Sequence, residues 1–366
     1  MSLRASLRAA TLHYGNGVQL HTAASGSVAG LHALYLCLDD GQYQAVGEVR
    51  ANIAYLNGYA PAEVIARAEQ ALAAIDWRED PAQLLASMAG WAAPIIAPVR
   101  NLIDCALHDL LAQRAGVPLA QLLAPGCATQ VRHATNQTLF WSPFEQFIAQ
   151  AEGYVARGFH DLKVRIGVAD FAADLQRLGA LRERFGEQLS LAVDVNGQWG
   201  VGEAPYRLEQ LARFNLAYVE QPIGAGDWPA LEQLAARAPM PLMLDESLAS
   251  AADIERLCAL GGALWAHVKL VKLGGLAPSL AALRQLRQAG VTCMVGQMNE
   301  GAAATAAALH LACASTPRFA ELYGADGLRD DPASPVEYTQ GHAQLPAVPG
   351  LGVTLDLSAT QLIRSF

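Results

Sequence analysis

Three acids stand where three β-type runs end: Asp194 in LAVDVN, Glu220 in YVEQPI and Asp245 in LMLDES. They lie 26 and 25 residues apart, close to one strand–helix unit each, so three neighbouring strands would deliver one carboxylate apiece to a common rim. Any one of them alone reads as a loop cap or a solvated charge; three at unit spacing read as a cluster. Converging carboxylates cannot all stay ionised unless a cation sits among them. Oxygen donors without histidine or cysteine favour Mg2+, with Mn2+ as the alternative, over zinc. Asn196, Gln221 and Glu246 follow the acids closely and are candidates to orient them.

Cationic side chains accompany the acids. Lys269, in AHVKLVKL, comes 24 residues after Asp245 and so at about the same height on the next strand. Lys272 is three positions further on; strand alternation would place it on the other face, so it reads as structural or as lying at the strand exit. In HDLKVRIG, Lys163 and Arg165 are two positions apart and share a face. An exposed edge strand is the plain reading of such a pair; inside a barrel, both would need an anionic partner. A divalent ion flanked by cations on opposite walls suits an anion whose charge grows. Removing the α-proton of a carboxylate makes such a species, an enediolate. A lysine beside a cation has a lowered pKa and can act as the base. Arg165 stays protonated and is suited to holding a carboxylate rather than taking a proton.

The elements that must position these groups follow from the rhythm of the chain. Residues 1–125 read as an α+β unit: alternating segments such as HALYLCLDD and YQAVGEVR, then three helical stretches. From residue 126 to 335, β-type runs recur with amphipathic helices between them, beginning with VRHATNQTLF and HDLKVRIG and ending with RFAELYG. Eight strands alternating with helices predict a parallel (β/α)8-type barrel, whose chemistry sits at the C-terminal strand ends. An open doubly wound sheet is the alternative arrangement. Residues 336–366 read as a tail returning to the first unit.

Composition bounds the partners. Of 366 residues, 52% are hydrophobic, and the formal net charge is −9. No cluster of five basic residues is present, which argues against a nucleic-acid partner. The six cysteines show no CxxC or zinc-ligand spacing, a pattern suited to a reducing cytoplasm. The most apolar window, SMAGWAAPIIAPV, is too short and too proline-broken to span a bilayer, and the N-terminus lacks the apolar core of a secretory signal.

The ordered set GEVRAN, NLIDCALHDLLAQRAGVPLAQLL, KVR, DVNGQW, VEQPI, LDESL, VKLVKLGGL and PGLGVTLD resembles the enolase superfamily, in its mandelate racemase/muconate lactonizing enzyme branch. The resemblance implies an N-terminal capping domain over a modified (β/α)7β barrel, Mg2+ on Asp194, Glu220 and Asp245, and Lys269 as an acid/base on one face. It implies a small-molecule carboxylate substrate and, as is common among such barrels, self-association. Members of this branch usually carry lysine–x–lysine where this chain has Lys163-Val-Arg165. Racemisation with one base per face is weakened by that change unless Lys163 takes over the role.

Two cap loops select the substrate in this family. By position these are His21–Gly30 and Asn52–Tyr59 here, with Tyr55 and Tyr59 able to face a substrate side chain. Asn299, Glu300 and Tyr323 fall near the rim after the last two strands. Glu321, Asp326 and Asp330 lie nearby, either as receivers of a substrate amine or as solvated loop acids. His133 and His267 read as satisfying core or strand hydrogen bonds rather than binding metal. The expected activity is an isomerase, either cycloisomerase or racemase/epimerase. A one-base dehydratase (hydro-lyase) is the alternative, and a non-catalytic metal- and acid-binding protein is a more distant one.

Overall fold

The computed structural model describes residues 3–15 and 20–366. Its N-terminal part is a four-stranded antiparallel sheet in the order Gln361–Ser365, Arg4–Leu12, Leu31–Asp39, Gln44–Arg50. The C-terminal strand thus completes a sheet begun by the first residues of the chain. Helices Pro61–Ala74, Pro81–Trp91 and Ala97–Ala115 cover one face. Each has proline in its first turn, where a missing N–H costs nothing. The last helix buries Val99, Leu102, Ile103, Ala106, Leu107 and Leu110 against Leu7, Leu34, Leu36 and Val49 of the sheet. Gly47 is what lets them meet: a Cβ there would lie 2.1 Å from the Leu102 carbonyl oxygen.

The second part is the barrel. Its strands are Gln137–Leu139, Asp161–Arg165, Ser190–Asp194, Val219–Glu220, Leu242–Leu244, Trp265–Lys269, Cys293–Gly296 and Phe319–Glu321, each paired in parallel with the next. Seven helical crossovers connect them, giving the (β/α)7β arrangement. The two end strands are drawn together by Asn136 N–H donating to Ala320 O (3.0 Å) and Leu322 N–H donating to Thr135 Oγ1 (2.8 Å). VRHATNQTLF, read above as one strand, is two. Val131–Ala134 pairs antiparallel with His342–Leu345 outside the barrel. The break falls at Thr135 and Asn136, whose polar groups are spent on that closure.

Outward residues such as Val164, Leu191, Val193, Val219, Leu244, Val268 and Val295 are buried under the helices. That is why the strands read as nearly continuous apolar runs. Inward residues near the N-terminal ends, Ala192, Tyr218, Met243 and Met294, form a separate apolar cluster, the floor on which the site rests.

The cap meets the barrel through a shared apolar core and through carboxylates that accept N–H groups at helix starts. Asp104 accepts from Leu276 (2.6 Å), and Glu48 accepts from Gly301 (2.7 Å) and Ala304 (3.0 Å). These acids satisfy donors that have no partner within their own helix and lie at its positive end. Among the described residues, no helix is long and apolar enough to cross a membrane.

Candidate active site

Register determines the height of each inward side chain. Arg165 pairs with Asp194, and Asp194 with Glu220, so these three are level. Glu220 is level with Met243, not Asp245, and Leu244 with Ala266, so Asp245 and then Lys269 stand progressively higher. Lys269, Gly296 and Glu321 are level again. Such stagger follows from tilting strands to close a barrel. The result is one buried cluster over the apolar floor, with Lys163, Asp194, Glu220, His267 and Glu321 all inaccessible to solvent.

Within it, Lys163 Nζ lies 2.9 Å from Glu220 Oε2 and 3.5 Å from Asp194 Oδ2, and it also contacts Glu321. Arg165 contacts Asp194 and lies 3.8 Å from Glu321 Oε1. Lys269 Nζ is 2.6 Å from Asp245 Oδ2. Lys272 takes the other oxygen of the same carboxylate; it stands at the strand exit, not on the far face that strand alternation would give it. The strand stops at Lys269, and Leu270–Leu273 is a helical turn. The helical advance, about 100° per residue, carries Lys272 back to the side of Lys269.

The charges shape one another. Burial disfavours the Lys163 and Lys269 ammonium groups, but Glu220 and Glu321 around the first, and Asp245, Glu321 and Glu220 around the second, outweigh it and hold both above the ordinary lysine value. In the protein alone the acids therefore set the lysine pKa, opposite to the lowering expected beside a cation. Burial and the neighbouring Lys269 hold Lys272 below its usual value. Burial pushes Asp194 and Glu220 up. Lys269 and Lys272, opposing burial, keep Asp245 well down. Glu321 is held at about 2, chiefly by Lys163 against the cost of burial.

Supporting groups sit at the strand exits. Asn196 (φ 51°) and Gln221 (φ 36°) both adopt left-handed backbone, a strained choice for residues with side chains. The Asn196 N–H donates to Asp194 Oδ1 (2.9 Å), and its side chain donates to Glu246 Oε1 (3.2 Å). Gln221 Oε1 accepts from the backbone of Asp245 and Ser247, both at 3.1 Å, tying two strand ends together. Burial, together with Asp245 and Asp194, drives the Glu246 carboxyl up to about 8.

The other expected residues are dispersed. Tyr55 is exposed on the short helix Ala54–Asn57, and Tyr59 packs against the cap core. Asn299 and Glu300 face the cap: Asn299 donates to the Tyr14 hydroxyl (2.8 Å), and Glu300 accepts from Met298 and Arg50 N–H groups. Tyr323 is buried edge-on to Phe140. Asp326 is bound by Gln137 and Arg157, and Asp330 by His13, so neither is a free receiver for an amine. His133 bonds a neighbouring carbonyl. His267 makes the buried hydrogen bond expected of it, but inside the carboxylate cluster, with Nδ1 2.9 Å from Glu220 Oε1. Glu321, taken for a loop acid, is the last residue of the eighth strand. Alternation from Lys269 was a usable signal for His267; for Glu321 the run FAE was too short to distinguish strand from loop.

Residues 146–359 match the family described as enolase C-terminal domain-like. N-succinyl-L-Arg/Lys racemase of Bacillus cereus is 28% identical over 266 residues, 72% of this chain and 71% of the relative. Chloromuconate cycloisomerase of Pseudomonas putida is 32% identical over 258 residues, 69% of each. The crystal structure of a dipeptide epimerase from Enterococcus faecalis, complexed with Mg and the dipeptide L-Leu-L-Tyr, superposes with a TM-score of 0.87 at 26% identity, covering 97% of this chain and 100% of that one.

Proposed function

Since the chain belongs to the mandelate racemase/muconate lactonizing branch of the enolase superfamily, we propose that it is an isomerase that moves the α-proton of a small carboxylate through an enediolate. In this reading Asp194, Glu220 and Asp245 hold Mg2+, with Asn196, Gln221 and Glu246 orienting them. The bound ion supplies a Lewis acid that steadies negative charge on the substrate carboxylate.

The donor set suits such an ion. Five acids (Asp194, Glu220, Asp245, Glu246 and Glu321) face four cations (Lys163, Arg165, Lys269 and Lys272). A carboxyl driven up to about 8, as Glu246 is, marks a place where added positive charge is favourable.

The observation that carries the reading is the placement of two lysines. Lys163 comes from the second strand and Lys269 from the sixth, opposite walls of an eight-stranded barrel, and both reach into one carboxylate cluster, Lys163 at Glu220 and Lys269 at Asp245. Lys269 takes the proton at Cα or returns it on one face; Lys163 serves the other face, the role that Arg165, always protonated, does not fill. Arg165 and Glu321 position Lys163, and the apolar floor excludes water from below. Tyr55, Tyr59, Asn299, Glu300 and Tyr323 stand as substrate-side groups of this proposal. The relatives act on N-succinyl amino acids, dipeptides and chloromuconate, so carboxylates of these three classes are the substrates to try.

Proton NMR in D2O with Mg2+ tests this. The expected result is loss of an α-proton signal, slowed about 10^3-fold in Lys269→Met. Undiminished exchange in that variant would overturn the assignment. Arg165, engaged with Asp194 rather than free to accept a proton, favours a second reading, one-base elimination of water. Its mark in the same spectra is a vinyl or keto product.

A further inference from the structure

One imidazole lies inside the carboxylate cluster. His267 is fully buried, and ligand-capable atoms of Glu220, Asp245 and His267 all lie within 4.8 Å of one another. Its Nδ1 is 2.9 Å from Glu220 Oε1. The other ring nitrogen, Nε2, has no hydrogen-bond partner among the described residues; nor does Glu321 Oε1, the atom it faces at 4.0 Å. Room for the ring is made by Gly296 on the next strand, where a Cβ would come within 2.0 Å of Nε2. A glycine inside a strand forgoes packing and backbone order, so the space has a local purpose.

We propose that His267 is a protein ligand to the divalent ion, joining the carboxylates through Nδ1 while Nε2–H donates to Glu321. The proposal rests on the functional reading above, in which the carboxylates hold such an ion. A ligating histidine characteristically donates its second N–H to a carboxylate, which fixes its tautomer and raises its basicity. Here two unpartnered buried atoms already face each other in that sense. The consequence is metal choice. Mg2+ prefers hard oxygen donors and parts reluctantly with its waters, whereas imidazole favours transition ions, increasingly so from Mn2+ to Co2+. His267 therefore tilts an otherwise all-oxygen site toward Mn2+ and Co2+. A purely structural His267 would donate Nδ1–H to Glu220 and leave metal preference to the carboxylates.

The test uses the full chain stripped of metal. Mn2+ is added to protein labelled with [15N]histidine and to unlabelled protein, and electron spin echo spectra are recorded. The expected result is a nitrogen modulation that changes isotope with the label and vanishes in His267→Asn. Calorimetric titration with Mg2+, Mn2+ and Co2+ should show the Co2+-over-Mg2+ preference falling about tenfold or more in that variant, with Mg2+ affinity little changed. His267→Gln, which keeps a polar group of similar reach, should behave alike if the fold is intact by circular dichroism. Mn2+ bound without histidine modulation would overturn this inference and leave the functional reading standing. Failure of the wild-type chain to bind any of the three ions would overturn both.

Discussion

The two ends of the barrel interior are built from the same strands and obey opposite rules. Two residues separate Ala192 from Asp194, Tyr218 from Glu220, Met243 from Asp245, and Phe319 from Glu321. In each pair the first joins the apolar floor or packs against it, and the second joins the ionic cluster. The floor is stabilised by close packing and needs no partner-by-partner matching. The upper layer consists of charges removed from water, each of which destabilises the fold unless the others offset it. The floor is thus a condition of the chemistry above it: by keeping water out, it makes every charge above interact more strongly. The fold can tolerate change in the floor by repacking, whereas a missing charge above leaves its partner stranded.

The largest effect on stability should come from removing Lys163, which bonds Glu220 and Glu321 from a fully buried position. Lys163→Met is expected to lose about 3–5 kcal/mol in urea unfolding. Part of that loss should be recovered by Mg2+, because a second cation then answers the same carboxylates. A loss below about 1 kcal/mol, indifferent to Mg2+, would mean that the buried charges do not depend on one another and the contrast with the floor fails.

Met243→Ala, in the floor, should cost about 2–4 kcal/mol through lost burial and a residual cavity. In the folded fraction, α-proton exchange should fall only modestly. If exchange falls as far as it does in the lysine variants, the floor takes part in the chemistry directly and the contrast fails.

The smallest effect belongs to Asp161, the acid that begins the second strand on the same face as Lys163. Burial raises its carboxyl to about 6. A raised acid holds its proton more tightly in the folded chain. That contribution is present below about pH 4, the unfolded value, and is lost as pH rises through about 6. Asp161→Asn should therefore be no more stable than the wild type near pH 4 and more stable by on the order of 1 kcal/mol at pH 7–8. Denaturant midpoints across that window decide it; a constant difference would refute the assigned pKa.

Much of the site was legible in advance. Unit spacing singled out Asp194, Glu220 and Asp245, and alternation placed Lys163 and Arg165 on one face and Lys269 one strand further on. These depend only on the period of a strand and the length of a strand–helix unit. Lys272 was left between a structural place and the strand exit because nothing local marks the change from strand to helical turn after Lys269. Glu321 escaped because a three-residue strand has too little pattern to set a face. Asn299, Glu300, Asp326 and Asp330 were expected near the rim, but their partners Tyr14, Arg50, Arg157 and His13 lie far away along the chain and could not be read from it.

The sequence by itself determined the architecture and the type of chemistry, because hydrophobic period, helix-start prolines and repeated acid spacing are local properties of the chain. The tertiary structure decided which charges meet. The stagger of a closed barrel sets Asp245 and Lys269 above their neighbours in pairing, turns His267 toward Glu220, and gives Asp194 to Arg165. Ion pairing acts across space at a few ångströms, and those distances exist only once eight tilted strands have closed on one another.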